Sequence, residues 1–202
     1  APEIARGLIG HFLGAISGGS LYRNASFLKD TVGQRLFPEW MRMSERPYIL
    51  RGAASTAFDA EGVVTADRDI IENGNLTGYV LDTYAARRLG LETTANAGGV
   101  HNLVVEPGCY SAQELLQQMG RGLLVTEVMG QGVSTVTGDY SRGAGGFWVE
   151  NGEIQFPVDE VTIAGNLKDM FLDIAAVGAD VDKRSTIQTG SILLGKMTVA
   201  GT

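Results

Sequence analysis

Phe147-Trp148-Val149-Glu150-Asn151-Gly152-Glu153-Ile154-Gln155-Phe156-Pro157-Val158 is the stretch that decides the fold class. Its Asn-Gly pair stands between two runs rich in aromatic and β-branched residues. Both central residues of a two-residue hairpin turn need positive φ, which Asn and Gly tolerate best. The stretch therefore predicts an antiparallel hairpin. The same device stands 78 positions earlier, where Val63–Ile71 and Leu76–Leu81 flank Glu72-Asn73-Gly74-Asn75. The shared Glu-Asn-Gly hints at an internal duplication.

Helices are interleaved with these runs. Ile4, Leu8, Ile9, Phe12, Leu13 and Ile16 recur at spacings of three and four, so residues 2–17 read as an amphipathic helix that Gly18-Gly19 ends. Residues 20–50, with Pro38 and Pro47, read as loop with a short helix. Thr83–Leu89 reads as a helix and Asn102–Val105 as a strand. Ser111-Ala112-Gln113-Glu114 forms a capping box before a stripe of Leu115, Leu116 and Met119. Leu123–Val128 reads as a strand. Asn166 caps a helix striped by Leu167, Met170, Phe171, Ile174 and Val177 and closed by Gly178, and Ile192–Leu194 with Met197–Val199 read as a terminal strand. Strands and helices alternate without a βαβ period. The expected class is α+β, a β-rich mixed domain of many short strands with several helices packed on it. The 28 glycines, about twice the usual ~7 % share, agree with many turns and close backbone approaches.

The net charge of −7 disfavours a nucleic-acid partner, since the basic residues are scattered and form no stripe. No apolar run approaches the ~20 residues of a membrane helix, so no membrane partner is expected. The single cysteine, Cys109, excludes an internal disulfide and is expected to be a buried or half-buried apolar residue in a reducing compartment. His11 and His101, the only histidines, lie ninety positions apart, and no HExxH or HExxxH occurs. A local zinc site is not expected, and neither is a local nucleophile or phosphate loop. His11 reads as a core-edge or interface side chain. The densest polar group is Asp139-Tyr140-Ser141-Arg142-Gly143, set between glycines. It reads either as one wall of a peptide-binding cavity or as an Asp–Arg pair that pins a glycine loop.

The segment VTGDYSRGAGGFWVENGEIQFPVDEVTIAGNLKDM, residues 136–170, resembles the PmbA (TldE) branch of the TldD/PmbA family. Further blocks agree in order: Ala25–Leu28, FDAEGVVT at 58–65, YAARRLGLETTANAGG at 84–99, GRGLLVTEVMGQGV at 120–133 and GSILLGKMTVAGT at 190–202. The resemblance implies that residues 1–202 are the C-terminal domain, with the family's N-terminal domain outside this chain. It also implies a paralogous TldD-like partner, a zinc peptidase carrying HExxxH on the helix that matches residues 2–17. There the two ligand positions fall near Gly10 and Ala15, and His11 falls where the catalytic glutamate would stand. A late cysteine ligand of that partner corresponds to Gln188–Ser191, away from Cys109. On this resemblance the chain holds no cofactor of its own and is the non-catalytic subunit of a cytoplasmic heterodimeric zinc protease acting on unfolded, extended peptides. A homodimer of the chain alone is a further implied state. The alternatives left open are a self-sufficient metallopeptidase and a protein-binding modulator of DNA gyrase.

Overall fold

The computed structural model describes residues 1–201; Thr202, the last residue of the closing block, lies outside them. The chain opens with α1 (Pro2–Ala15) and α2 (Gly18–Tyr22), followed by β1 (Met43–Glu45), β2 (Arg68–Glu72) and β3 (Asn75–Leu76). Next come α3 (Thr83–Leu89), β4 (Leu103–Val105), α4 (Ala112–Met119), β5 (Gly122–Met129), β6 (Asp139–Glu150) and β7 (Glu153–Asn166). The last elements are α5 (Leu167–Leu172), β8 (Ile174–Val177), β9 (Ile187–Gln188), β10 (Ile192–Leu194) and β11 (Thr198–Ala200). The α+β class holds.

Three sheets organise the strands. One has the order β3-β2-β1-β4-β9, antiparallel except for the parallel β4–β9 pair. The second is β10-β8, and the third is the antiparallel β11-β7-β6-β5. Both Asn-Gly turns form as read, with positive φ at Asn73, Gly74, Asn151 and Gly152. Beyond the turn the two hairpins differ. The first joins strands of 5 and 2 residues and the second strands of 12 and 14. The outer half of the long hairpin stands exposed, with Ile154 and Phe156 about half accessible. That projection is one reason the accessible surface of 10245 Å² exceeds the ~9,000 Å² expected for a compact chain of this mass.

Apolar burial converges where α1 meets α5. Phe12, Phe37 and Phe171 are all essentially buried. Phe37 stacks on Phe171 at 5.0 Å, and Phe12 meets both edge-on at 5.0 and 5.8 Å. Edge-to-face and offset contacts align ring quadrupoles favourably, adding to the burial itself.

Several readings are corrected. The opening helix stops at Ala15, and Gly18-Gly19 starts α2 instead of merely ending α1. Gly18 is needed there because an added Cβ would lie 2.3 Å from Ala85 Cβ on α3. The expected helix through Val177 ends at Leu172, and Ile174–Val177 becomes β8. Asn166 caps the shorter helix through the Lys168 amide, and its β-branched continuation pairs with β10. The terminal strand is two strands, β10 and β11, in different sheets. Cys109 is exposed, in the wholly exposed segment between β4 and α4.

Strand β1 had no signal in the sequence. It runs Met-Ser-Glu without alternation, yet all three residues are buried. Its Glu45 is 2 % exposed and accepts hydrogen bonds from Arg68 Nε at 2.7 Å, Asn96 Nδ2 at 2.7 Å and the His101 amide at 2.6 Å. Arg68 also donates to Asn96 Oδ1 at 2.8 Å and to the Tyr79 carbonyl at 3.0 Å. A buried charge survives only when paired and bonded, and this network meets that condition.

Candidate functional site

Strand β6 builds the site. Successive side chains on a strand point to opposite faces. Asp139, Ser141 and Gly143 therefore share one face, while Tyr140, Arg142 and the buried Ala144 share the other. The glycine-flanked segment is strand, not loop, and the Asp139–Arg142 pairing does not occur. Asp139 instead accepts from Thr137 Oγ1 at 2.6 Å and Asn166 Nδ2 at 3.2 Å. Arg142 donates from Nε to the Met129 carbonyl at 3.1 Å and from Nη2 to the Val128 carbonyl at 3.5 Å. It anchors its guanidinium on the end of β5.

Helix α1 meets the Tyr140 face. The His11 and Tyr140 rings meet edge-on with centroids 6.0 Å apart. Burial, reinforced by the Arg142 charge, holds the His11 pKa below its ordinary value. Burial pushes the Tyr140 phenol up, with the Arg142 charge pulling weakly the other way. The site is therefore a neutral imidazole and a neutral phenol beside one fixed cation at pH 7.

Next to it lies a cavity of about 730 Å³, lined by side chains that include Ile4, Leu8, Tyr140, Trp148, Met170 and Leu193. The lining is mostly apolar, and a space of this volume suits a short peptide segment or a ligand of comparable size. Of Asp139, Tyr140, Ser141, Arg142 and Gly143, only Tyr140 lines it. Trp148 and Met170 were not singled out in the sequence as site residues. Nor was the approach of His11 to Tyr140, which joins positions 129 apart.

The positions matched to metal ligands can be tested by their chemistry. Gly10 does face β9, where an added Cβ would lie 3.9 Å from Ile187 Cδ1. The opening helix thus packs against β9, whose Gln188 opens the late segment Gln188–Ser191. Gly10 and Ala15 supply no donor atom, however, and Gln188 and Thr189 are buried neutral side chains. His101 is elsewhere, its Nε2 2.9 Å from the Ala95 carbonyl oxygen. Among the described residues no three His, Cys, Asp or Glu side chains gather at metal-binding distance. These residues do not fit a zinc ion.

Residues 1–201 match the family model described as the PmbA/TldA metallopeptidase C-terminal domain. The chain belongs to the PmbA/TldD family. A PmbA relative in Escherichia coli O157:H7, named a metalloprotease, is 57 % identical over 201 residues, which is 100 % of this chain and 45 % of that protein. A Bacteroides thetaiotaomicron structure described as a modulator of DNA gyrase superposes with TM-score 0.94 at 29 % identity, covering 100 % of this chain and 46 % of that one. TldE from Thermococcus kodakarensis superposes with TM-score 0.82 at 28 % identity, covering 94 % and 46 %. The chain spans about half the length of the PmbA/TldD relatives it matches. No helix among the described residues is long and apolar enough to cross a membrane.

Proposed function

We propose that this chain is the domain of a TldE-type subunit that lacks its own zinc site and works by pairing with a TldD-like metallopeptidase. The observation that carries this reading is the contrast between position and chemistry. The helix that would help cradle a metal packs against β9, where the late segment begins, yet Gly10, Ala15 and Gln188–Ser191 offer no ligand set. A fold that keeps the place and loses the donors suits a partner that shapes a shared cavity while the other subunit activates water.

In that role β6 contributes the wall. Tyr140 faces the cavity, and Arg142 stands two residues on along the same face. The substrate class is an unfolded, extended peptide, which a strand face with neighbouring apolar side chains can hold. The setting proposed is the bacterial cytoplasm, with zinc in the TldD-like partner and no nucleic acid or membrane involved.

The test is co-expression of the full protein carrying this chain with its cognate TldD-like subunit. Peptide cleavage and zinc should appear in the pair and in neither measure with the full protein alone. Arg142→Ala should slow cleavage and leave pairing intact. Stoichiometric zinc held by this subunit's own side chains, with cleavage by it alone, would overturn the reading in favour of a self-sufficient peptidase. A pull-down that recovers gyrase and no TldD-like chain would favour the activity named for the Bacteroides neighbour.

A further inference from the structure

We infer that His11, Tyr140 and Arg142 form a receptor for a single carboxylate, presented by the peptide that occupies the neighbouring cavity. The inference rests on the peptide-cavity reading above and adds what that wall recognises. Arg142 is an arginine without an acid. Although the chain carries 23 acidic residues against 16 basic ones, none of the described carboxylates pairs with Arg142. Its bonds go from Nε and Nη2 to two backbone carbonyls, which leaves Nη1 without a partner.

Tyr140 carries the argument furthest. As a residue it is 6 % exposed and lines the cavity, and its hydroxyl bonds no other described residue and is left open instead of being sealed in the core. Buried tyrosines ordinarily bond their hydroxyl. Tyr79 shows the ordinary case in the same molecule: it is 8 % exposed, and its Oη bonds the Leu28 carbonyl at 3.2 Å and the Thr31 amide at 3.1 Å. Tyr140 thus keeps a donor in reserve beside an unpaired cation. The His11 ring meets the Tyr140 ring edge-on with centroids 6.0 Å apart and brings a third polar group to the same place.

A phenol hydroxyl and an imidazole near one fixed cation suit a monoanion with two acceptor oxygens. The net charge of −7 disfavours a polyanion such as a nucleic-acid backbone. A peptide can supply the carboxylate from its C-terminus or from an Asp or Glu side chain.

Calorimetric titration of the full protein with three short peptides tests the inference: acetyl-trialanine as the free acid, the same peptide as its amide, and acetyl-Ala-Glu-Ala amide. At least one of the two carboxylate peptides should bind about ten- to a hundredfold more tightly than the neutral amide, the range a charge-assisted hydrogen bond supplies. Preference for the free acid assigns the C-terminus, and preference for the Glu peptide assigns a side chain. Tyr140→Phe removes a hydroxyl with no internal role, so it should fold normally and weaken the carboxylate peptide alone. Arg142→Ala should bring acid and amide to equal affinity. Equal binding of all three peptides to the parent protein would overturn the carboxylate receptor and leave the peptide cavity standing. Failure of all three to bind would overturn both.

Discussion

Replacing Gly146 with alanine should break the sheet at one point and nowhere else. Gly146 lies on β6 opposite Val125 of β5. A Cβ added there would stand 1.9 Å from the Leu124 carbonyl oxygen, 2.9 Å from its carbon and 3.1 Å from Val125 Cα. All three are backbone atoms, so no side chain can swing aside. Contacts between carbon and carbonyl oxygen across strands settle near 3.3 Å, so the Leu124 peptide must move by about 1.4 Å. That shift disrupts about two ladder hydrogen bonds worth ~1 kcal/mol each net, on top of an overpacking cost of ~1–3 kcal/mol. The expected loss is about 3–5 kcal/mol. With a urea slope of ~2–3 kcal/mol/M, the unfolding midpoint should fall by about 1–2 M. Gly143 is the control on the same strand. Its added Cβ would meet Met129 Cβ at 3.5 Å, an ordinary contact, so Gly143→Ala should stay within about 0.5 kcal/mol of the parent. Urea titration followed by tryptophan fluorescence reads both variants. A Gly146→Ala protein with the parent midpoint, or equal losses in the two variants, would refute the pairing of β5 with β6 described above.

Glu45→Gln keeps the shape of the buried network but turns an acceptor toward Arg68 into a donor or a neutral oxygen. The expected loss is about 3 kcal/mol, and Arg68→Met in the same protein should recover part of it. The guanidinium and amide of Arg184 hold the Asp182 carboxyl at about 2, below its ordinary 3.8. Its contribution is therefore complete above 3.8 and drains as the pH falls toward about 2, and Asp182→Asn should flatten the stability–pH curve across that window; an unchanged slope counts against the ion pair. Cys109 is exposed, so iodoacetamide should add once to the native protein and no more after unfolding. Protection of the native thiol would contradict the placement of the segment between β4 and α4.

The features legible in the sequence were those with local causes. The Asn-Gly turns, the Ser111–Glu114 capping box, the Asn166 cap and α3 each rest on residues within a turn of one another, and each formed. Element ends failed where the cause was distant. Gly18 reads as a helix terminator until Ala85 is seen pressing on it. The Ile174–Val177 run carries a helical spacing, but pairing with β10 wins because it satisfies the backbone of both. Strand β1 was invisible because its buried Ser44 and Glu45 look like surface residues until Asp69, Arg68 and Asn96 are brought to them. The candidate site divided in the same way. Residues 139–143 could be picked out as a polar cluster between glycines. Which of them face α1 depends on strand alternation, and the meeting with His11 depends on the whole fold.

The parallel pairing of β4 with β9 joins Leu103 to Ile187 and Val104 to Gln188, and Gly10 of α1 faces Ile187 as well. Gly10 and Ile187 are 177 positions apart, and Phe12 and Phe171 are 159 apart. At ribosomal speeds of ~5–20 residues per second, the first helix waits on the order of ten seconds or more for the segment that covers it. Throughout that interval its apolar stripe is a target for chaperones and for neighbouring nascent chains. Pairings so far apart in sequence also slow the search for the native state after synthesis ends. Yield in a cell should accordingly respond to translation rate and chaperone supply more than to any single surface residue.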